Sequence, residues 1–211
     1  GHPADELSAF ADVIRRHPQL MVVSDDLYEH LTYDGFRFAT IAAVAPDLAD
    51  RVLTLNGVSK SYCMTGWRIG YAAAAPELVK AMAKLQSQST SSPGSVAQYA
   101  AVAALEGPMD FIAANNAAFA RRRGRVLAAL NAIDGISCPP PDGAFYVYAD
   151  VTELTNDSLS FCRRILNETG VAITPGVDFD PDRGNRYVRF SFAESHEEIS
   201  GAATALIDWS S

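Results

Sequence analysis

The chain has 211 residues, enough for one large domain or two small ones, and its 48% of hydrophobic residues allows a sizeable core. Its formal net charge of −8 argues against a general nucleic-acid-binding protein, because such proteins need a cationic face to neutralise phosphates. Three cysteines without metal-type spacing favour reduced thiols in the cytoplasm over a disulfide framework or a metal site.

The sequence contains no segment that we expect to enter a membrane. The uncharged run from Leu85 to Leu105 includes the polar stretch Gln86–Pro93, so it is not apolar enough to span a bilayer. The first residues lack the basic and then apolar order of a signal peptide. We therefore expect a cytoplasmic protein without membrane or nucleic-acid partners.

The first half of the chain predicts an alternation of helices and strands. Residues 3–17 predict an amphipathic helix. Two short apolar runs, Leu20–Val23 and Val52–Leu55, predict strands buried in a parallel sheet. Ile69–Ala75 predicts a third strand, followed by a helix over residues 76–87. The alternation indicates an α/β layer, in which ligands bind beyond the carboxyl ends of the strands.

Polar side chains follow both of the first two strands. Asp25 stands at the end of the first strand, and Tyr28 comes shortly after it. The second strand leads into Lys60, and Arg68 precedes the third strand. A lysine that is partly desolvated at a strand end is suited to form a Schiff base, whereas a lysine in an ordinary surface loop stays solvated. For Lys60 alone, both interpretations are open.

The second half of the chain predicts a different architecture. A helix over residues 96–105 precedes a long helix over about residues 109–133, and the basic cluster Arg121–Arg125 is interpreted as a solvated face of this helix. The later elements are strands at Ile136–Cys138, Ala144–Tyr148, Val171–Thr174 and Tyr187–Phe192, a helix at Asp157–Thr169 ended by Gly170, and a last helix capped by Ser195 with Glu198. We predict two domains, residues 1–120 and 121–211, joined by the long helix.

Three motifs follow one another along the chain: Asp25-x-x-Tyr28, Ser59-Lys60 with Arg68, and Arg189 on a late strand. Together they resemble the class I/II aminotransferase family of fold-type I pyridoxal-phosphate enzymes. The resemblance runs from end to end of the chain but covers only the C-terminal half of that family's fold. It implies an α/β class, with part of the cofactor-binding large domain (a mostly parallel sheet with helices) and a C-terminal α+β small domain.

The resemblance implies a role for each residue of the first two motifs. Lys60 would hold pyridoxal phosphate as a Schiff base and then act as the catalytic base that moves a proton on the substrate. Asp25 would pair with the pyridine nitrogen, and Tyr28 would donate to the phenolic oxygen of the cofactor. Arg68 would bind the phosphate, with the Ser59 hydroxyl as a further donor.

The third motif would bind the substrate. Arg189 would hold the substrate α-carboxylate in a bidentate pair, although the same residue without the other motifs would be interpreted as a surface arginine. Trp67 and Tyr146 are expected to pack or to line the pocket. The resemblance also implies amino acid and 2-oxo acid substrates and a homodimer. The choice among aspartate, alanine and aromatic substrates is open.

The chain departs from the family pattern at one position and in its length. The residue three before the lysine is often a serine in the family, and here it is Gly57, so a side-chain contact to the phosphate is lost. Family members have an N-terminal half that this chain lacks, which suggests proteolysis, truncation or a split gene. We therefore expect that half as a partner, an unpaired edge on the sheet, and little or no activity of the chain alone.

Two other functions are compatible with the same motifs. A pyridoxal-phosphate-dependent carbon–sulfur or ring-forming lyase would share the lysine, its two cofactor-binding partners and the phosphate-binding arginine. A non-catalytic effector domain of a transcription regulator would share the fold, but it would leave Arg189 without a use.

Overall fold

The computed structural model describes residues 1–210, which form two compact units, one from Gly1 to Ala113 and one from Ala114 onward. The helices of this described part are α1 (Ala4–Arg16), α2 (Ile41–Val44), α3 (Pro76–Ser89), α4 (Ser95–Glu106), α5 (Asp110–Leu130), α6 (Ser158–Thr169) and α7 (His196–Ser210). Its strands are β1 (Val22–Asp25), β2 (Val52–Gly57), β3 (Gly70–Ala73), β4 (Tyr146–Asp150), β5 (Thr174–Pro175) and β6 (Tyr187–Ser191). The boundary between the units falls within α5, as does the boundary at 120/121 that the sequence predicts. No helix within residues 1–210 is long and apolar enough to cross a membrane.

The first unit contains a sheet with the strand order β1-β2-β3. β1 and β2 are parallel, as predicted, because the chain between them returns through α2 and a 3-10 helix. β3 is antiparallel to β2, with Gly57 opposite Gly70. The connection from β2 to β3 contains only a three-residue 3-10 turn, Thr65–Trp67, and this is too little for a crossover.

β1 lies at one edge of this sheet and is less buried than its sequence predicts. Val22 packs against the cluster formed by α1, α2 and β2, whereas the side chain of Val23 is 64% exposed. The prediction of a strand buried on both faces is therefore wrong for Val23. The reason is that β1 has a single sheet neighbour, β2, and that its helix cover contacts only one face.

Two hydrophobic clusters stabilise the first unit. One joins α1 to α2 and β2 through buried residues: Ala11, Ile14, Ile41, Ala45, Leu48 and Val52. The other joins the segment after β2 to α4 and α5 through Val58, Tyr62, Ile69, Ala101 and Ile112. Each fully buried aliphatic side chain contributes about 1.5–3 kcal/mol. The second cluster therefore anchors the turn that carries Lys60.

The second unit contains an antiparallel sheet with the strand order β4-β6-β5. The predicted strand at Ile136–Cys138 is reduced to a single bridge between Ser137 and Asp150. The strand predicted from Ala144 begins two positions later, since Ala144 has φ 60° in the left-handed region, which extended strands do not use. The strand predicted at Val171–Thr174 is limited to Thr174–Pro175.

The predicted ends of the last two helices are confirmed. The Asp157 carboxylate caps α6 by accepting the Ser160 backbone N–H at 3.1 Å, and Gly170 ends this helix with φ 75°. Before α7, the Ser195 hydroxyl accepts the Glu198 N–H at 3.2 Å, while the Glu198 carboxylate accepts the Ser195 N–H at 3.3 Å. This reciprocal pair is the predicted capping box.

The arginine cluster of α5 is not uniformly solvated, and the prediction of a solvated face is wrong for two of its members. Arg123 is buried, and the guanidinium of Arg122 lies 5.3 Å from the centre of the Phe119 ring. Arg121 and Arg125 are exposed. Arg122 and Arg123 follow Phe119 at the i+3 and i+4 positions of α5, so they lie on the helix face on which Phe119 is buried.

Candidate functional site

The candidate site lies at one end of the strands of the β1-β2-β3 sheet, where β1 and β2 have their carboxyl ends; this end is called the sheet edge of the site. Asp25 is the last residue of β1, Lys60 follows the end of β2, and Arg68 precedes the start of β3. β1 and β2 are parallel and β3 is antiparallel to them, so all three residues come at the edge formed by the carboxyl ends of the parallel strands. Tyr28 and Ser59 belong to the same two connecting segments.

The two neighbouring aspartates after β1 have different environments. Asp25 is exposed, and its carboxylate accepts the Leu27 N–H at 3.2 Å. Asp26 is buried, and its carboxylate accepts the Ser24 hydroxyl at 2.8 Å. Asp26 therefore stabilises the turn, while Asp25 caps it and still presents a carboxylate at the sheet edge. Tyr28 is half-buried in the same turn.

Lys60 lies in a tight turn that the backbone closes from both sides. The Cys63 N–H donates to the Lys60 carbonyl at 3.1 Å, and the Met64 N–H donates to the Val58 carbonyl at 3.2 Å. Lys60 is half-buried, as is Ser59, and Val58 next to them is fully buried. The turn thus holds Lys60 at the end of the strand with its side chain partly removed from solvent.

The glycine before this turn is required by close packing. A Cβ atom at Gly57 would lie 2.9 Å from the Ile69 carbonyl oxygen and 3.2 Å from the Gly70 Cα atom. Both contacts are to backbone, which cannot rotate away. The departure from the family's serine at this position therefore goes with a tight approach of β2 and β3.

Arg68 presents its guanidinium at the same edge. Its backbone is left-handed, with φ 55° and ψ 46°, and its side chain is exposed. Its Nη1 donates to the Thr65 carbonyl at 3.1 Å. One such hydrogen bond leaves most of the five guanidinium N–H donors for an anion.

Arg189 belongs to the second unit, where it lies on β6 close to two aromatic rings. Its guanidinium carbon is 4.3 Å from the centre of the Tyr146 ring and 4.5 Å from that of Phe179. Its Nη2 donates to the Thr174 hydroxyl at 3.5 Å. Both rings are within cation–π distance of the guanidinium, which can offer its remaining N–H donors to a bidentate partner.

Four residues that the sequence does not single out contact the segments of the predicted site: Phe179, Thr174, Glu29 and Asn56. Phe179 and Thr174 contact Arg189. Tyr146, which the sequence predicts as a packing or pocket residue, contacts Arg189 as well. Glu29 and Asn56 form a hydrogen bond of 2.7 Å between the segments that carry Tyr28 and Lys60. The only signal in the sequence for Glu29 and Asn56 is that each is a polar residue close to one of the motifs. This signal is weak because polar residues near motifs are common.

The pKa values of two tyrosines near the site are raised by burial and, to a smaller extent, by the carboxylate of Glu29. Burial raises the pKa of Tyr71, and the negative charge of Glu29 raises it further. Burial and then Glu29 likewise raise the pKa of Tyr62.

Within residues 1–210 no group of three or more His, Cys, Asp or Glu side chains is arranged to hold a metal ion.

Comparisons with known proteins give a consistent family. The family model described as aminotransferase class I and II matches residues 2–206. The chain is 48% identical to the aspartate/prephenate aminotransferase of Cereibacter sphaeroides over 95% of its length and 52% of that protein. It is 44% identical to the aspartate aminotransferase of Rhizobium meliloti, over 95% of its length and 51% of that protein. The chain thus spans about half the length of the curated relatives it matches.

Solved structures give the same result. The crystal structure of the aspartate aminotransferase from Rhizobium meliloti superimposes with a TM-score of 0.92 at 42% identity, covering 99% of this chain and 54% of that one. The aromatic aminotransferase from Pyrococcus horikoshii superimposes with a TM-score of 0.90 at 34% identity, covering 97% of this chain and 54% of that one. The similarity extends over both units of the described chain.

Proposed function

The chain belongs to the class I and II aminotransferase family, as its motifs predict, and from that premise we propose that it is the C-terminal portion of a pyridoxal-phosphate-dependent aminotransferase. The complete protein transfers an amino group between an amino acid and a 2-oxo acid. The observation that carries the proposal is the position of Asp25, Lys60 and Arg68 at one edge of the sheet. The position of these side chains is evidence for a function, whereas the fold alone is not, because one fold can host many different functions.

These side chains fit pyridoxal phosphate by their chemistry. An amine suits its aldehyde, a carboxylate suits its protonated pyridine nitrogen, and a guanidinium suits its phosphate. When bound, this cofactor supplies an aldehyde that captures amines and a ring that takes up the electrons of a substrate C–H bond. The exposed carboxylate of Asp25 and the exposed guanidinium of Arg68 are both accessible to such a ligand.

Each residue has a defined task in this proposal. Lys60 would hold the cofactor through its amine and would carry the proton from the substrate Cα. Asp25 would keep the pyridine nitrogen protonated. Tyr28 would donate its phenolic hydrogen to the ring oxygen. Arg68 would bind the phosphate together with the Ser59 hydroxyl, and the absence of a side chain at Gly57 would leave only backbone contacts there.

Arg189 binds the α-carboxylate of the amino acid. The rings of Tyr146 and Phe179 support this task, since cation–π contacts with both rings limit the movement of the guanidinium. We infer that aspartate is the amino donor and prephenate an acceptor, because a relative that is 48% identical is named for these two substrates. The two relatives and two solved structures described above are all named aminotransferases, and none of the four is named a lyase, so they do not support the lyase alternative.

We also propose that the chain works with the rest of the family fold, in a cytoplasmic homodimer. Uncovered apolar surface supports a partner: Met21 and Val23 next to the free edge of β1 are 59% and 64% exposed, and Tyr99 on α4 is 78% exposed. The free edge of β1 can accept further strands. Alone, the chain is expected to have little or no aminotransferase activity.

The experiment joins this chain to the remaining N-terminal part of the Cereibacter sphaeroides relative, and the product is called the completed protein below. With pyridoxal phosphate, aspartate and prephenate, it should form oxaloacetate and an amino acid product. The variant K60R should lose this activity, while K80R, which changes an exposed lysine of α3, should keep it. Equal activity of both variants would refute the proposed role of Lys60.

A further inference from the structure

A polar pair lies directly before the Lys60 turn and outside the motifs of the family. Asn56 donates from its side-chain amide to the Glu29 carboxylate at 2.7 Å, and its amide oxygen accepts the Gly57 N–H at 2.7 Å. Both hydrogen bonds are partly buried. A single amide thus connects a charged side chain from one segment to the backbone of another.

Asn56 lies at the point where the chain leaves the sheet at the end of β2. The pairing of β2 with β3 ends at Gly57 opposite Gly70. The next contact, from the Val58 N–H to the Ile69 carbonyl, is long at 3.4 Å. The amide oxygen of Asn56 therefore fixes the backbone at the last well-paired residue before Lys60.

Glu29 fixes the other segment. Its backbone N–H donates to the Asp26 carbonyl at 3.0 Å and closes the turn that contains Tyr28. Its carboxylate is the charge that raises the pKa of both Tyr62 and Tyr71, after the larger effect of burial. An ionised acceptor makes the hydrogen bond from Asn56 stronger than one between neutral groups.

We propose that Glu29 and Asn56 are positioning residues that hold the Tyr28 turn and the Lys60 turn in the register needed for cofactor attachment. This inference rests on the proposed function, since it assumes that Lys60 is the attachment site. Neither residue touches the reacting atoms. Their effect is to restrict where the lysine amine can point.

The test uses the completed protein and the lysines that this chain contributes to it. Lys60, Lys80 and Lys84 are the three lysines of the sequence, and the last two are exposed on α3. The completed protein is mixed with pyridoxal phosphate, whose aldehyde condenses with an amine with loss of water. Borohydride then adds hydride to the carbon–nitrogen double bond and gives a stable secondary amine. Peptide mass spectrometry measures the labelling ratio of Lys60 to Lys80.

N56D places two carboxylates opposite each other and should lower this ratio about tenfold, which corresponds to about 1.4 kcal/mol. The double variant E29Q/N56D exchanges donor and acceptor, so it restores the hydrogen bond and should recover most of the ratio. N131A is the matched control. It removes an asparagine side chain that makes two similar hydrogen bonds, of 2.9 and 3.0 Å, to the backbone of Cys138 in the second unit.

The outcomes separate the inference from the proposed function. In the completed protein, a ratio that favours Lys60 without substitution and stays the same in N56D overturns the positioning role alone, even if N56D lowers the thermal midpoint. Equal labelling of Lys60, Lys80 and Lys84 in the unsubstituted completed protein overturns this inference together with the role of Lys60. If circular dichroism shows N56D to be unfolded, E29A and E29Q decide. E29Q keeps the acceptor and should retain the ratio, E29A should lose it, and equal ratios contradict the proposal.

Discussion

Asp25 and Leu55 face each other in the parallel register of β1 and β2, and the Asp26 N–H extends this ladder by donating to the Leu55 carbonyl at 2.9 Å. This relationship sets the carboxylate of Asp25 at the sheet edge from which the Lys60 turn departs. A carboxylate and an amine that are distant in sequence are brought to one edge by strand pairing alone.

Arg189 should contribute mainly to substrate binding. In the completed protein, R189A should raise the KM for aspartate and lower kcat/KM about a hundredfold, since removing one partner of a buried charge pair costs about 3 kcal/mol. R189K should recover little, because an ammonium cannot form the bidentate pair. R186A changes an exposed arginine on the preceding turn and is the control. A near-normal KM for R189A would show that another group binds the carboxylate.

Phe179 should orient Arg189. F179L removes one of the two rings within cation–π distance of the guanidinium, a contact that contributes about 0.5–1 kcal/mol at an exposed site. The KM for aspartate in the completed protein should therefore rise about two- to fivefold. F10L is a matched control, because Phe10 and Phe179 are similarly exposed, at 47% and 49%. An equal KM in both variants would contradict the orienting role.

Gly57 should not tolerate a side chain. G57A places a Cβ atom 2.9 Å from the Ile69 carbonyl, and the backbone shift that relieves this contact should lower the free energy of unfolding by about 1–3 kcal/mol. G66A is the control, since a Cβ there meets no atom within 4 Å. Urea titration of the chain measures both. Similar midpoints for the two variants would mean that β2 and β3 separate without cost.

The buried thiols should make stability depend on alkaline pH. Burial raises the pKa of the Cys138 thiol to about 11, and burial together with the charge of Asp178 raises the pKa of Cys162 to about 11, from 9.0. Below pH 9.0 both thiols are protonated in the folded and unfolded states, so their contribution is complete. Between pH 9.0 and 11 only the unfolded state loses the protons, so stability should fall as pH rises.

Urea unfolding at a series of pH values measures this effect. In the double variant C138A/C162A the free energy of unfolding should depend less on pH in that range. The control is C63A, which removes an exposed thiol and should leave the pH dependence as it is. An unchanged slope in the double variant would mean that other groups cause the loss of stability.

Parts of the fold and site could be predicted because they follow from local chemistry. Asp157, Gly170 and the pair of Ser195 with Glu198 occupy the helix ends that their side chains favour. Asp25 and Lys60 were expected at the ends of apolar runs, where parallel strands present their ligand-binding edge.

Other parts could not be predicted because they depend on contacts that are distant in sequence. Glu29 meets Asn56 only after the turn behind β1 closes over β2. Phe179 reaches Arg189 from a 3-10 segment without periodicity, so no pattern marks it. The antiparallel direction of β3 and the exposure of Val23 depend on which strands lie beside them. Arg123 is buried although its sequence context indicates a solvated face.

The lysine to which the cofactor attaches can be identified by reduction. The completed protein is loaded with pyridoxal phosphate, reduced with borohydride, and digested for peptide mass spectrometry. Within this chain we expect the reduced cofactor on Lys60, with little on Lys80 or Lys84, and we expect K60R to remove it. Reduced cofactor on another lysine, or labelling that persists in K60R, would contradict the assignment of Lys60 as the cofactor-binding residue.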